Sequence, residues 1–254
     1  MQTLNLTLNE ERNVTLTAYI QQVSPEDWGM TKRPAIIILP GGGYDYCSRR
    51  EADPVAFPYL QVGYQVFILT YSVNVHKAWP NPLNDYDQAF EVIKEHADEW
   101  HVDTDRIAVI GFSAGGHLAA CTATMAQNRP RACILGYPVI DEPTTHTYNK
   151  NAPVPTEFVD DKTSPCFVFA STNDGLVPIA NSVSFIDALA KNKIPFESHF
   201  YAFGNHGFST GESCVNNRRW ICTRTPNWVK DSVEWLKDMM GDFKQGVLCD
   251  RDWW

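Results

Sequence analysis

The chain has 254 residues, of which 44% are hydrophobic and 20% charged, and its 21 Lys and Arg against 30 Asp and Glu leave a formal net charge of −9. That balance argues against nucleic acid or an anionic membrane surface as the main partner. The length suits one large α/β domain with a sizeable core, and the longest apolar runs, such as Ala35–Leu39, are far too short to span a bilayer.

In chain order, Met1–Thr7 alternates polar and apolar like a strand. It has no basic segment followed by an apolar stretch, so no signal peptide is expected and a reduced, cytoplasmic protein is favoured. Leu4–Leu8 and Val14–Ile20 read as two antiparallel strands joined around Asn9-Glu10-Glu11. Pro34–Leu39 is a continuous apolar run, as a central buried strand requires, and it ends in Pro40-Gly41-Gly42-Gly43-Tyr44. A helix is predicted over Glu51–Val62, then a strand over Gln65–Tyr71. Apolar residues recur at helical spacing from Asp85 to Trp100. The polar turn Asp103-Thr104-Asp105 leads into the short strand Arg106–Ile110. The run Gly116–Ala126 is Ala-rich and helix-favouring. Ala132–Tyr137 and Cys166–Ala170 are two further buried-type strands, separated by a Pro-, Thr-, Asn- and Asp-rich loop or small cap over 138–165. Val177–Lys191 reads as helix, Pro195–Tyr201 as the last strand and Trp228–Met240 as a closing amphipathic helix. Strands alternating with helices imply a mostly parallel sheet covered on both faces, in one domain without a linker or internal repeat.

Seven cysteines is an odd count. Cys121, Cys133 and Cys166 lie in apolar stretches and read as buried free thiols, while Cys214 and Cys222 flank a loop and are the candidates for a bridge, with the reduced state favoured. No Cys/His grouping has zinc-ligand spacing, so no metal is expected. The C-terminal segment Val247–Trp254 either packs back on the domain or serves a dimer contact, which leaves a homo-oligomer open.

The most specific pattern is Gly111-Phe112-Ser113-Ala114-Gly115, between a strand and a helix. Such a Gly-x-Ser-x-Gly turn is the nucleophile elbow of an α/β-hydrolase: the serine sits on a strained turn, and small residues two positions either side keep strand and helix from colliding. A serine hydroxyl needs a base within hydrogen-bond reach and a third group to fix that base. In this fold the partners follow in the order Ser, acid, His. Asp174 directly follows the Cys166–Ala170 strand, whereas Asp160 and Asp161 precede it and Asp187 lies on a helix. For the base, His199 lies inside an alternating strand, where its ring would be structural. His206 lies just past that strand, between glycines that let the loop present it. His117, on the elbow helix, is expected to pack internally. Donors for a developing oxyanion are expected from the N–H of Ala114 and from Gly42 and Gly43. No Lys-Ser/Thr follows the Gly loop, so it is not a P-loop.

With these residues in place the chain resembles the esterase/lipase group of α/β-hydrolases, and more closely small bacterial carbohydrate esterases whose oxyanion loop reads Pro-Gly-Gly-Gly-Tyr. The matching stretches are Leu39–Tyr44, Ser48–Ala56, Trp79–Asp85, Arg106–Ala119, Asn173–Pro178 and His206–Phe208. The resemblance implies the same triad and oxyanion loop and cofactor-free hydrolysis of short-chain esters, with acetyl and sometimes feruloyl groups on plant polysaccharide fragments as substrates. Pro40 replaces the histidine of the larger esterase group, so support for the loop must come from elsewhere. The long segment 209–226 carries Arg218 and Trp220, which together with Tyr44, Tyr46 and Trp79 are candidate substrate contacts. An amidase, arylformamidase or peptidase on the same fold is the rival reading, because the triad chemistry is shared. A silent binding protein on a hydrolase scaffold is the other.

Overall fold

The computed structural model describes residues 1–244 and 247–250. Its centre is an eight-stranded sheet made of β1 (Gln2–Asn9), β2 (Val14–Ile20), β3 (Arg33–Leu39), β4 (Gln65–Thr70), β5 (Val102–Phe112), β6 (Ala132–Gly136), β7 (Cys166–Ser171) and β8 (Phe196–Tyr201). The spatial order is β1-β2-β4-β3-β5-β6-β7-β8. The first three neighbours pair antiparallel, and every pair from β4 onward is parallel. The helices are α1 (Pro25–Trp28), α2 (Asp53–Gln61), α3 (Asn81–Glu95), α4 (Ala114–Met125), α5 (Glu142–Tyr148), α6 (Ala180–Lys191) and α7 (Asn227–Met240). A small hairpin of β9 (Asp242–Lys244) and β10 (Val247–Cys249) follows.

Strand periodicity divides the core in two, because successive side chains of a strand face opposite ways. Ala35, Ile37 and Leu39 of β3 join Val109 of β5 in the layer filled by α3, α4 and α6. Ile36 and Ile38 join Ile110 and Phe112 in the layer filled by α2 and α7, where Trp228 stacks on Phe169 at 4.1 Å. A strand buried on both faces must be apolar throughout, and this is why β3 reads as an unbroken hydrophobic run. No helix among the described residues is long and apolar enough to cross a membrane.

Several boundaries differ from the sequence reading. The helix expected over Asp85–Trp100 is α3, which starts at Asn81 because Pro82 fits the first turn, where no amide donor is needed. It ends at Glu95, and His96 instead stacks on Trp100 at 4.5 Å. The Asp103–Asp105 turn falls inside β5 as a bulge, the pairing jumping from Val102 opposite Arg33 to Ile107 opposite Ala35. The helix expected from Val177 starts at Ala180, because the N–H groups of Leu176 and Val177 are drawn to the Asp174 carboxylate. The stretch 138–165 is not plain loop: it contains α5, whose Thr144 N–H is capped by Asp141, and a 3-10 turn over Pro155–Phe158.

Cys121, Cys133 and Cys166 are buried free thiols, as expected. The Cys214–Cys222 bridge is not formed; both thiols are free, and Cys222 Sγ accepts the Phe203 N–H. At the C-terminal segment, Asp250 reaches Arg106 at 2.8 Å, while residues 251–254 lie outside the described residues.

Candidate active site

Loops at the carboxyl ends of β3, β5, β7 and β8 meet at one place, the end of a parallel sheet where open α/β folds bind ligands. Ser113 connects β5 directly to α4 with φ 54° and ψ −116°. A non-glycine residue in that region is strained, and such strain persists only where packing enforces it. Here the enforcement is visible in two glycines. A Cβ on Gly111 would lie 2.0 Å from the Gly115 carbonyl oxygen, and one on Gly115 would lie 2.1 Å from that of Leu39. Strand and helix therefore cross at backbone contact, and Ser113 takes up the bend.

Asp174, at the turn after β7, and His206, in the loop after β8, converge on this serine. His206 Nε2 lies 2.8 Å from Ser113 Oγ, and Nδ1 lies 2.6 Å from Asp174 Oδ2. The other Asp174 oxygen, Oδ1, accepts the N–H groups of Leu176 and Val177 at 2.8 and 3.0 Å. With Asp174 accepting at Nδ1, the imidazole is the Nδ1–H tautomer, and Nε2 is left to accept from the serine hydroxyl. The Asp174 side chain is 1% exposed and that of His206 15%. This arrangement is chemically competent to transfer a proton from Ser113 during nucleophilic attack.

The start of α4 and the Gly loop border the same point. α4 begins at Ala114, and the first bond into its opening turn is His117 N–H to the Ser113 carbonyl, so the Ala114 N–H has no partner inside the helix. Across the cleft the Gly loop turns sharply: Gly42 has φ 137°, Gly43 64° and Tyr44 61°. A Cβ on Gly42 would lie 2.0 Å from the Tyr46 carbonyl oxygen, so the loop closes only on glycine. Support that the missing histidine does not give comes from Tyr71, whose hydroxyl donates to the Pro40 carbonyl at 2.6 Å. A second tie joins Tyr44 Oη to His117 Nδ1 at 2.6 Å.

The resulting cleft, about 350 Å³, is lined by Gly42, Gly43, Ser113, His206, Tyr46, Arg50, Glu51, Tyr148 and Leu176 among others. A hollow of about 520 Å³ adjoins it, sharing Asp45, Tyr46 and Ser48 and continuing to Arg12, Arg49 and Asn74.

Of the residues expected at the substrate, Tyr44 is 1% exposed, turned inward onto His117, and it does not line the cleft. Trp79 packs edge-on against the same histidine at 5.8 Å, behind the loop. Arg218 pairs with Glu212 at 3.4 Å, and Trp220 is exposed; neither is in the cleft wall. The segment 209–226 thus does not form the wall that its place after His206 suggested. Tyr46 does line the cleft, and Arg50, Glu51, Tyr148 and Leu176 were not anticipated. His199 lies away from Ser113, stacked on Phe167 at 4.9 Å, and His117 is buried as expected.

Comparison with known proteins relates the chain to α/β-hydrolases, esterases among them. The BD-FAE family profile matches residues 23–151. The crystal structure of an α/β-hydrolase enzyme from a Medee basin deep-sea metagenome library (MGS-M1) superposes with TM-score 0.88 at 42% identity, covering 94% of this chain and 98% of that one. Endo-1,4-β-xylanase B of Butyrivibrio fibrisolvens is 30% identical over 211 residues, 70% of this chain and 33% of that protein. The acetylxylan esterase of Xylanibacter ruminicola is 28% identical over 199 residues, 70% of this chain and 41% of that protein. The chain therefore spans between a third and a half of the length of these two curated relatives.

Proposed function

Because this chain belongs to the BD-FAE family of esterase/lipase α/β-hydrolases, we propose that it is a serine carboxylic-ester hydrolase that removes short acyl groups, acetyl foremost, from plant-type oligosaccharides. The observation that carries this reading is the hydrogen-bonded series Ser113–His206–Asp174 on a positive-φ elbow. Ser113 Oγ attacks the ester carbonyl while His206 Nε2 takes its proton. Asp174 holds the ring in the required tautomer and stabilises the imidazolium that forms. The N–H groups of Ala114, Gly42 and Gly43 receive the oxyanion. His206 then protonates the departing sugar oxygen, leaving an acyl-Ser113. Water deprotonated by His206 attacks that ester, and collapse of the second tetrahedral intermediate frees the acid and the serine.

The sugar alcohol is favoured by the xylan-related relatives. It is compatible also with the adjoining hollow, where Asn13, Arg49 and Asn74 offer polar groups to sugar hydroxyls beside the apolar Ile68, Val73 and Val75. The test combines acetate release from acetylated xylo-oligosaccharides with labelling by a fluorophosphonate probe. Wild-type protein should release acetate and take the label. Ser113→Ala should lose about 10⁶-fold in kcat and all labelling. Hydrolysis surviving in Ser113→Ala would remove the nucleophile assignment, and acetate release absent from the wild type would remove the substrate.

A further inference from the structure

Glu51 is a buried titratable group in the cleft wall to which the acyl-transfer scheme gives no task. It is 3% exposed, and burial raises its pKa against the opposing pull of its two hydrogen bonds and of the nearby His206 and Arg50, neither of which forms a direct ion pair with it. A buried carboxylate without a direct ion pair is costly unless hydrogen-bonded at both oxygens. Both are: Oε2 accepts the Gly41 N–H at 2.8 Å and Oε1 accepts the Tyr137 hydroxyl at 2.6 Å. Burial pushes the Tyr137 hydroxyl well above its ordinary range, so it keeps its proton and donates. The Tyr137 oxygen in turn accepts the Ser209 N–H at 2.9 Å, and its ring meets His206 edge-on at 5.1 Å.

One carboxylate therefore ties the Gly loop to the segment that carries the histidine. The fit is tight on the nucleophile's side as well. A Cβ on Gly41 would lie 2.8 Å from Glu51 Oε2 and 3.0 Å from Ser113 Cβ. The Gly41 amide is thus turned onto Glu51 at the head of the loop whose Gly42 and Gly43 line the cleft together with Ser113. The geometry points to Glu51 as a positioning residue: its carboxylate fixes the oxyanion loop in register with Ser113 and His206, so that the Gly42 and Gly43 donors are aligned before an ester arrives. This inference rests on the ester-hydrolase reading above. It also supplies the support for the loop that the proline at position 40 cannot give.

The experiment compares Glu51→Ala, Glu51→Met and Glu51→Gln with wild type, each normalised to active sites titrated by a fluorophosphonate. The readouts are kcat and KM for p-nitrophenyl acetate and the Ki of a trifluoromethyl ketone, whose bound alkoxide depends on the same donors. Loss of one well-placed oxyanion donor costs about 10²-fold or more in kcat. Glu51→Ala should therefore lose about 10²-fold in kcat per titrated site and in Ki, with KM within about threefold. Glu51→Met fills the volume without an oxygen acceptor; it should lose as much, and it carries the test should the alanine variant not fold. Glu51→Gln still accepts from Gly41 and should stay within about tenfold of wild type. A lower melting temperature with kcat and Ki per titrated site unchanged in the alanine and methionine variants would overturn the inference and leave the esterase reading intact. A wild type that neither labels nor hydrolyses would overturn both.

Discussion

Ser113 keeps its conformation only because neighbouring residues absorb the cost. Its φ of 54° is disfavoured for any side chain, and the approach of Gly115 to the Leu39 carbonyl leaves the chain no other route. Asp174 is held in a comparable way: two backbone N–H groups occupy Oδ1, so Oδ2 faces His206 alone. An amide at this position can place its oxygen on those N–H groups and its NH₂ against Nδ1. The ring is then driven into the Nε2–H tautomer, which cannot accept from Ser113. Asp174→Asn should therefore keep its fold and KM while kcat for p-nitrophenyl acetate falls by about 10⁴-fold. Steady-state kinetics against an unchanged circular-dichroism spectrum test this. A loss of less than about tenfold would mean that another group orients His206.

The elbow helix α4 carries a second dependence, on pH. His117 is fully buried between Tyr44 and the Pro153 carbonyl. Because Pro153 can only accept, Nε2 carries the proton and Nδ1 accepts from Tyr44, a pairing that needs the neutral ring. Burial lowers its pKa from 6.5 to about 4. Between those values the unfolded chain binds the proton and the folded one does not, so this residue's contribution to stability falls as the pH drops. The loss approaches about 3 kcal/mol below pH 4. Glutamine at position 117 donates and accepts without titrating, so His117→Gln should show a flatter fall in melting temperature between pH 7 and 4.5 than wild type. Parallel curves would show that the ring is not held neutral. The elements themselves were largely legible in the sequence, because buried parallel strands such as β3 must be apolar on both faces. The elbow was legible because backbone contact at Gly111 and Gly115 leaves little choice of residue. The site wall was not: Tyr44 and Tyr46 are two positions apart, yet three successive positive-φ residues send one ring inward and leave the other exposed. Glu51 was hidden for a similar reason: the sequence reading put it at the start of a helix, where a carboxylate ordinarily faces solvent, whereas it closes a 3-10 turn over Arg49–Glu51 ahead of α2.

Across the whole molecule, the parallel strands deliver their loops to one end of the sheet, and under the proposed ester hydrolysis the shape of that end sets which acyl group fits. The cleft at Ser113 has room for a short acyl chain, and its wall mixes Arg50, Glu51, Asp45 and His206 with only Leu176 and two tyrosines as sizeable apolar surfaces. Leu176 is itself 57% exposed, so it roofs no channel. An apolar tunnel would reward each additional methylene by about 0.8 kcal/mol, or close to 5 kcal/mol between acetyl and octanoyl, a preference for the longer ester of more than about 10³-fold in kcat/KM. Here those methylenes stay in water or displace it from charged groups, and the reward vanishes. The expected outcome is therefore the reverse order: p-nitrophenyl acetate should be turned over with at least about tenfold higher kcat/KM than the octanoate, measured below the critical micelle concentration of the longer ester. Equal rates, or a preference for octanoate, would require an acyl channel lined by other residues and would direct the search for the natural substrate to lipids instead of acetylated sugars.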